Sequence, residues 1–166
     1  MSTGFVYLRP LSIVCVRALG PYEASSLEAW RQLFNWLETS GMRRTLGCGY
    51  GLMHDDQSVT AKERCRYDAC VDILPGFEST IPEGFRVTRL PGGAYARIRQ
   101  IGMQGLEEAI RSLREGWVPS SGLAVDPNRP FVETYLDDPA TTATQKRRVD
   151  ICIPVSMDAS IKRSAA

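Results

Sequence analysis

The chain has 166 residues, with 20 lysines and arginines against 19 aspartates and glutamates, so its formal net charge is +1. A hydrophobic fraction of 43% and a charged fraction of 23% are typical of a globular domain and argue against a disordered or membrane-spanning chain. The near-neutral charge argues against direct DNA binding, because nucleic-acid-binding domains usually carry a marked basic excess.

The first half of the chain predicts a strand, a helix and two strands. Alternating β-branched residues predict a strand at about residues 11 to 19, and apolar residues at helical spacing predict a helix at about 24 to 39. Two strands are expected at about 49 to 55 and 65 to 74, and a further strand at about 85 to 90 leads through a turn into the second half. The helix has a single apolar face, so we expect it to cover a sheet.

The second half repeats this order. The expected elements are a strand at about 93 to 101, a helix at about 103 to 116 and strands at about 130 to 136 and 147 to 155. Pro119 follows the helix and is expected to prevent its continuation. Residues 156 to 166 are small and polar, which predicts a flexible tail.

A constant offset of 82 residues relates the two halves. At this offset Val16 to Gly20 falls on Ile98 to Gly102, Asp55-Asp56 on Asp137-Asp138, and Arg66 to Val71 on Arg148 to Ile153. Several matches without a net gap indicate a duplicated unit of about 80 residues. We therefore predict one domain over residues 1 to 166, with repeat unit one at about 11 to 75 and repeat unit two at about 85 to 155.

The duplication predicts the fold class. Two strand-helix-strand-strand units give an α+β fold with a mainly antiparallel sheet and both helices on one side. A cleft at the pseudo-twofold junction of the two units is the expected ligand site.

The sequence predicts a cytoplasmic protein without a metal or a cofactor. The amino-terminus lacks a basic segment followed by an apolar one, and no stretch approaches the roughly 18 apolar residues of a membrane-spanning helix. The five cysteines form no CxxC pair, so we expect them to be reduced and buried. His54 is the single histidine and has no nucleophile motif beside it, which favours a solvent-exposed or turn position.

The strand that carries Glu133 is the most informative segment. Strand alternation places Phe131, Glu133 and Tyr135 on one face, so one carboxylate lies between two aromatic rings. If that face meets water, Glu133 is a solubilising residue. If it lines a cleft, the carboxylate favours a flat, apolar cation that compensates its charge and stacks on the rings. The first-half equivalent is Gly51, so the copies differ where we expect the ligand.

Other candidate positions are less specific. Trp117 either caps the core or overhangs the cleft, and the sequence does not settle which way Tyr50, Tyr67 and Tyr95 face in their strands. The run from Gly47 to Gly51 leads into a strand rather than a helix. It therefore favours close backbone approach or a bulge over phosphate binding.

Four motifs follow one another in the second half of the chain: Gly93-x-Tyr95-Ala96 with Gly102 later, Trp117-x-Pro119-x-Ser121-Gly122, Glu133-x-Tyr135-x-x-Asp138-Pro139, and Asp150-Ile151-x-Ile153-Pro154. In their order and spacing they resemble the GyrI-like family. This family is also called SbmC-like, or the AraC-type effector-binding domain, and occurs at the C-terminus of Rob and BmrR-type regulators. The resemblance implies a duplicated fold with a hydrophobic cleft for amphipathic, often cationic small molecules. It also implies that Glu133 is the pocket glutamate, with Trp117 and Tyr135 near it.

The resemblance leaves three functions open. We expect a standalone effector-binding or multidrug-binding protein, whose candidate ligand-binding residues are Glu133, Tyr135, Trp117, Phe131, Tyr95, Tyr67 and Tyr50. The alternative is a toxin-resistance hydrolase of cyclopropane-containing DNA-alkylating compounds with Glu133 as its catalytic acid or base, and a further alternative is a DNA gyrase inhibitor. Only about ten residues precede the first strand, too few for a helix-turn-helix module, so direct DNA binding is not expected. DNA gyrase or a separate regulator stays open as a partner.

Overall fold

The computed structural model describes residues 2–42, 49–73, 81–102, 104–138 and 141–157. The chain divides into two units: Pro10–Pro91 is called the first unit, and Met1–Arg9 with Gly92–Ala166 is called the second unit. Some positions named in the sequence predictions lie outside the described residues: Gly47, Cys48, Leu74, Met103, Pro139 and the tail from 158 to 166.

The described elements follow one another as β1 (Thr3–Leu8), β2 (Leu11–Leu19), α1 (Tyr22–Thr39), β3 (Gly49–Met53), β4 (Arg66–Asp72), β5 (Phe85–Leu90), β6 (Gly93–Ile101), α2 (Leu106–Arg111), α3 (Val118–Ser120), β7 (Leu123–Val125), β8 (Phe131–Tyr135) and β9 (Arg148–Met157). A π-helical segment, Ser112–Trp117, joins α2 to α3. Short 3-10 turns at Lys62–Arg64 and Thr144–Lys146 precede β4 and β9. No helix among these described elements is long and apolar enough to cross a membrane.

In the first unit, an antiparallel sheet with the strand order β3, β4, β2, β5 packs against α1. The apolar stripe predicted for α1 was Leu27, Trp30, Leu33, Phe34 and Leu37. Leu33 and Leu37 are buried together with Ala29, but Leu27 is 73% exposed, so the prediction is wrong for that residue. Burying a leucine side chain stabilises a fold by roughly 1.5 to 3 kcal/mol, so this stripe holds α1 on the sheet.

The second unit has the same plan. Its strands pair in the antiparallel order β1, β6, β9, β8, and β7 pairs with the end of β9. The helical stretch from α2 to α3 covers one sheet face, because Leu113 and Val118 are buried in one cluster with Ala96, Ile151 and Ile153. The predicted α+β fold with a mainly antiparallel sheet and two helices is therefore confirmed.

Strand register confirms the offset of 82 residues. Ile13 of β2 lies opposite Asp72 of β4, and Tyr95 of β6 lies opposite Pro154 of β9, so both partners advance by the same offset. The ranges of β1 and β5 are also 82 residues apart. However, β1 pairs with β6, and β5 pairs with β2. Each sequence repeat therefore contributes its leading strand to the sheet of the other repeat.

The second helix differs from its prediction. We expected it to end at about residue 116, ahead of Pro119, but the helical stretch continues to Ser120. Pro119 lies at the junction where the π-helical segment passes into α3, one residue before the helical stretch ends at Ser120.

The end of the described chain also differs from the sequence prediction. Ser156 and Met157 belong to β9, and they pair with Ala124 and Leu123 of β7. The flexible-tail prediction is therefore wrong for these two residues, because β7, a strand that the sequence analysis missed, supplies their backbone partners.

Candidate functional site

Glu133 lies on the helix-covered face of the second unit. It stands in β8 opposite Ile151 of β9, and Ile151 belongs to the core beneath the helix. Directly opposite residues of antiparallel strands share a face. With only 3% of its surface exposed, Glu133 is a buried carboxylate rather than a solubilising strand residue.

Tyr135 holds the Glu133 carboxylate in place. Its hydroxyl donates a hydrogen bond of 2.9 Å to Oε2 of Glu133. Tyr135 is two positions along the same strand face, opposite the buried Val149. A phenol O–H is a hydrogen-bond donor of fixed direction, so this contact orients the carboxyl group of Glu133.

Phe131 and Trp117 lie on the same helix-covered face. Both pack against the buried cluster of the second unit. The Trp117 ring also contacts Phe5 of β1, with the ring centroids 4.8 Å apart, and the Phe5 side chain is largely exposed. Trp117 therefore packs at the border of the core. Sequence reasoning missed Phe5, because its contact with Trp117 depends on the pairing of β1 with β6.

Tyr95 lies on the opposite face of the same sheet. Its neighbour Ala96 joins the helix-covered core, so strand alternation turns Tyr95 away from the helix. Tyr95 is fully buried, and the Arg129 guanidinium lies 4.9 Å from its ring centroid. Burial raises the pKa of Tyr95, and the nearby Arg129 opposes that rise. The structure does not bring Tyr95 together with Glu133.

Tyr67 and Tyr50 belong to the first unit and point to opposite faces of its sheet. Tyr67 is buried beneath α1, and its hydroxyl accepts a hydrogen bond of 3.0 Å from Nε1 of Trp30. Tyr50 stands opposite Cys70, on the face turned away from α1. Burial raises the pKa of Asp72 on that same face, and a hydrogen bond from Tyr50 opposes the rise. Ligand-binding roles for these two tyrosines stay predictions.

The glycine run permits close approach of a helix, as predicted. A Cβ atom added to Gly49 would lie 2.7 Å from Cη2 of Trp30, closer than carbon atoms pack. Glycine is therefore needed here to leave room for an indole ring from α1.

His54 is not at a solvent-exposed turn. Its side chain is 20% exposed, and Nε2 lies 2.6 Å from Oδ2 of the buried Asp68. The sequence suggested no such partner, because the two residues meet only after β3 and β4 pair.

The described cysteines are buried free thiols, as expected: Cys15, Cys65, Cys70 and Cys152. Burial raises the pKa of Cys152 to about 12, so this thiol stays protonated and is a poor nucleophile. Across the described part of the chain, no group of three His, Cys, Asp or Glu side chains could hold a metal ion.

Two curated relatives align with the chain. YosT of Bacillus subtilis strain 168, named as an SPbeta prophage-derived candidate transcriptional regulator, is 33% identical over 90 residues, which are 54% of this chain and 58% of that protein. DNA gyrase inhibitor 2 of Dickeya dadantii strain 3937 is 26% identical over 147 residues, or 83% of this chain and 87% of that protein. The first alignment spans little more than half of the relative, so its regulatory role is not carried over to this chain.

Solved structures share the fold at low sequence identity. The EcmrR C-terminal domain has a TM-score of 0.75 at 14% identity, covering 95% of this chain and 98% of that one. A hydrolase from Listeria innocua has a TM-score of 0.63 at 13% identity, covering 93% and 91%. SAV2435 bound to tetraphenylphosphonium has a TM-score of 0.61 at 14% identity, covering 94% of each chain. At these identities the likeness shows the fold alone.

The match to a protein family covers more of the chain than either alignment with a curated relative. Residues 1–156 match the GyrI-like small molecule binding domain, so the agreement includes both units. It also includes the strand that carries the buried glutamate and its tyrosine partner. Because the match extends over nearly the whole sequence, the chain belongs to the GyrI-like small molecule binding domain family.

Proposed function

We propose that this protein binds an amphipathic organic cation, with the carboxylate of Glu133 as the electrostatic anchor. The observation that carries the proposal is a carboxylate with 3% exposure on the helix-covered face of β8. Small-molecule binding follows from the family. The proposal adds the chemical class of the ligand and the residue that selects it.

Burial of the Glu133 carboxylate has an energetic cost. An ionised carboxylate removed from water loses several kcal/mol of solvation. The 2.9 Å hydrogen bond from Tyr135 recovers part of this loss. A cationic guest would add its own attraction to the carboxylate, so charge is one selective feature of the proposed site.

The surroundings of Glu133 favour an organic cation over a hydrated metal ion. Its cross-strand neighbour is Ile151, and the face also carries Phe131 and Tyr135. Aromatic faces attract cations by about 0.5 to 2 kcal/mol each and stack on flat apolar surfaces. A small hydrated ion would use neither the apolar nor the stacking contribution.

Tetraphenylphosphonium is a suitable probe, because it is a permanent cation with four aromatic rings and is the ligand of the fold neighbour SAV2435. We expect the wild-type protein to bind it at micromolar concentrations in isothermal titration calorimetry. Glu133→Gln should weaken binding by about tenfold or more, since each 1.4 kcal/mol is tenfold in affinity.

The matched control is Glu107→Gln. Glu107 is exposed on α2, so this variant makes the same charge change outside the proposed site and should bind like the wild type. A neutral probe, triphenylphosphine oxide, should bind the wild type and Glu133→Gln with similar affinity. Equal affinity of both proteins for the cation would rule out the anchor role.

Hydrolysis of a cyclopropane-containing toxin is the second candidate function. One fold neighbour is a hydrolase from Listeria innocua. In this chain Glu133 would accept a proton from water as the water oxygen bonds to one cyclopropane carbon. One C–C bond of the ring breaks, and the released carbon takes up a proton, so the net change is the addition of one water molecule. Incubation with a cyclopropane-bearing alkylator should then add the mass of one water molecule, and Glu133→Gln should abolish the product. An unchanged alkylator together with tetraphenylphosphonium binding would leave binding as the function.

The partner and the cellular compartment of the protein are inferred from other observations than the site. DNA gyrase or a separate regulator as a partner is suggested only by the names of the two relatives. We place the protein in the cytoplasm, because free thiols such as Cys15 and Cys70 persist in a reducing compartment.

A further inference from the structure

A group of cationic side chains surrounds Asp68 in the first unit. Asp68 is fully buried in β4 and points away from α1, because its neighbour Tyr67 lies beneath that helix. Arg17 of β2 binds it with both prongs: Nε to Oδ1 at 2.7 Å and a terminal nitrogen to Oδ2 at 2.9 Å. This bidentate geometry fixes the plane of the guanidinium.

Two further groups bind the same carboxylate. Nε2 of His54 lies 2.6 Å from Oδ2, and a terminal nitrogen of Arg86 on β5 also donates to Oδ2. Burial would raise the pKa of Asp68, but the hydrogen bonds from Arg17 and His54 outweigh it and hold that pKa well below its ordinary value. Two guanidinium charges therefore face one carboxylate charge, which leaves a positive excess.

The buried Asp68 holds the guanidinium groups of Arg17 and Arg86 on one side, and solvent reaches them on the other side. The side chains of Arg17 and Arg86 are 32% and 39% exposed, whereas Asp68 is inaccessible. A guanidinium carries five N–H donors, and these two arginines use only some of theirs on Asp68. The remaining donors are held on the sheet face opposite α1, without the entropy cost of ordering flexible side chains.

Comparison with the second unit shows which contacts of this cluster belong to the duplicated fold. Its equivalent pair, Arg99 and Asp150, has the same two-pronged geometry at 2.6 and 2.8 Å. At the positions equivalent to Arg86 and His54 the second unit has Gly4 and Leu136. The two-pronged arginine–aspartate pair thus belongs to the duplicated fold, and Arg86 and His54 are additions in the first unit. The second unit has a different second arginine, Arg97, whose guanidinium lies 3.6 Å from Asp150.

We infer that Arg17 and Arg86 form a binding site for a small oxyanion, a phosphate or carboxylate group, on the face of the first unit opposite α1, with His54 helping Asp68 to fix the cluster. Asp68 is the positioning residue that holds the donors from behind. Planar guanidinium forks match the geometry of both oxyanions. This site is distinct from Glu133, which binds a cation and lies in the other unit.

The test measures thermal unfolding and calorimetric binding with sodium phosphate, sodium sulfate or sodium acetate. Sodium chloride keeps the ionic strength constant, because screening alone changes surface electrostatics. A ligand that binds the folded state raises the unfolding temperature in a saturable way. We expect such a rise for the wild-type protein with at least one of the oxyanions, and their ranking distinguishes a phosphate from a carboxylate source.

Arg86→Gln is the decisive variant, and Arg89→Gln is its control. Arg89 lies on the same strand but faces the α1 side, since it pairs with Ser12, so its loss removes the same charge outside the site. We expect anion affinity to fall by about tenfold in Arg86→Gln and to be unchanged in Arg89→Gln and Glu133→Gln. If Arg86→Gln fails to fold, Arg86→Lys replaces it. This variant keeps the positive charge but loses the planar guanidinium group, so its anion affinity should lie between those of the wild type and of a variant without the charge.

Two results would overturn the inference. One is the absence of a saturable rise with any of the three oxyanions. The other is equal anion affinity in Arg86→Gln and Arg89→Gln, which would mean that general surface charge, rather than the cluster at Asp68, attracts the anion. Far-UV circular dichroism of each variant checks that the comparison is made between folded proteins.

Discussion

The two units share one strand register but fill it with different side chains. Arg17 and Asp68 form an ion pair at 2.7 Å in the first unit, and Arg99 and Asp150 form the equivalent pair at 2.6 Å in the second unit. Positions that keep the same interaction in both copies serve the common fold. Positions that differ are therefore where each unit has acquired its own role.

A second ion pair is also present in both copies. Asp55 binds Arg66 at 2.8 Å, and Asp137 binds Arg148 at 2.6 Å. In each case the aspartate also accepts a hydrogen bond from the backbone N–H of its arginine partner. These pairs join the segment after one strand to the start of the next, which is the same task in either unit.

The space between helix and sheet is filled in opposite ways. In the first unit the indole ring of Trp30 on α1 packs against Gly49 of β3. At the equivalent positions the second unit has Ser112 on its helix and Phe131 on its strand. The large ring comes from the helix in one copy and from the strand in the other, so the strand of the second unit carries the aromatic residue beside Glu133.

Removing the buried aspartate should have the largest effect. Asp68→Asn leaves Arg17 and Arg86 without a counter-charge, so we expect the free energy of unfolding to fall by about 3 to 5 kcal/mol. Asp150 is slightly exposed beside a more exposed arginine, so Asp150→Asn should cost about 1 to 2 kcal/mol. Urea denaturation of both variants measures the difference, and equal losses would contradict the special position of Asp68.

Filling the glycine position should have an intermediate effect. Gly49→Ala places a methyl group against the Trp30 ring, and overpacking of this kind costs about 1 to 3 kcal/mol. In a Trp30→Leu background the cost of Gly49→Ala should nearly vanish, because the clashing ring atoms are gone. A double-mutant cycle in urea checks this coupling, and a cost that persists without the indole would mean that Gly49 is needed for its backbone instead.

The exposed ion pairs should have the smallest effect. Hydrogen bonds from the Arg148 side chain lower the pKa of Asp137 to about 2, and Arg66 likewise lowers the pKa of Asp55. In the unfolded chain an aspartate titrates near about 3.9. The stabilising contribution is therefore present above that pH and is lost as the pH falls through the folded pKa.

Carboxyl-carbon NMR titration tests this last prediction. Arg148→Gln should return the pKa of Asp137 toward its ordinary value and leave that of Asp55 unchanged. Its effect on the free energy of unfolding should be the smallest of the three, because exposed ion pairs contribute little. Coupled changes in both aspartates would show that the two pairs do not act separately.

Local sequence pattern was sufficient for the longer elements. The predicted strands at 11 to 19, 85 to 90 and 93 to 101 have the observed bounds, because β-branched alternation and glycine turns mark both ends. Strands β1 and β7 were not predicted. Their partners, β6 and β9, are far away in the sequence, so short-range pattern says little about them.

The sequence by itself determined the duplication, its offset of 82 residues and the shared strand face of Phe131, Glu133 and Tyr135, because alternation and repetition are local properties of the chain. Only the tertiary structure decided which face the helix covers, and hence that Glu133 is buried beneath it while Tyr95 points away. It also brought Arg86 from β5 to Asp68 in β4. A period of two separates the faces of a strand, but only packing and strand order decide what each face meets.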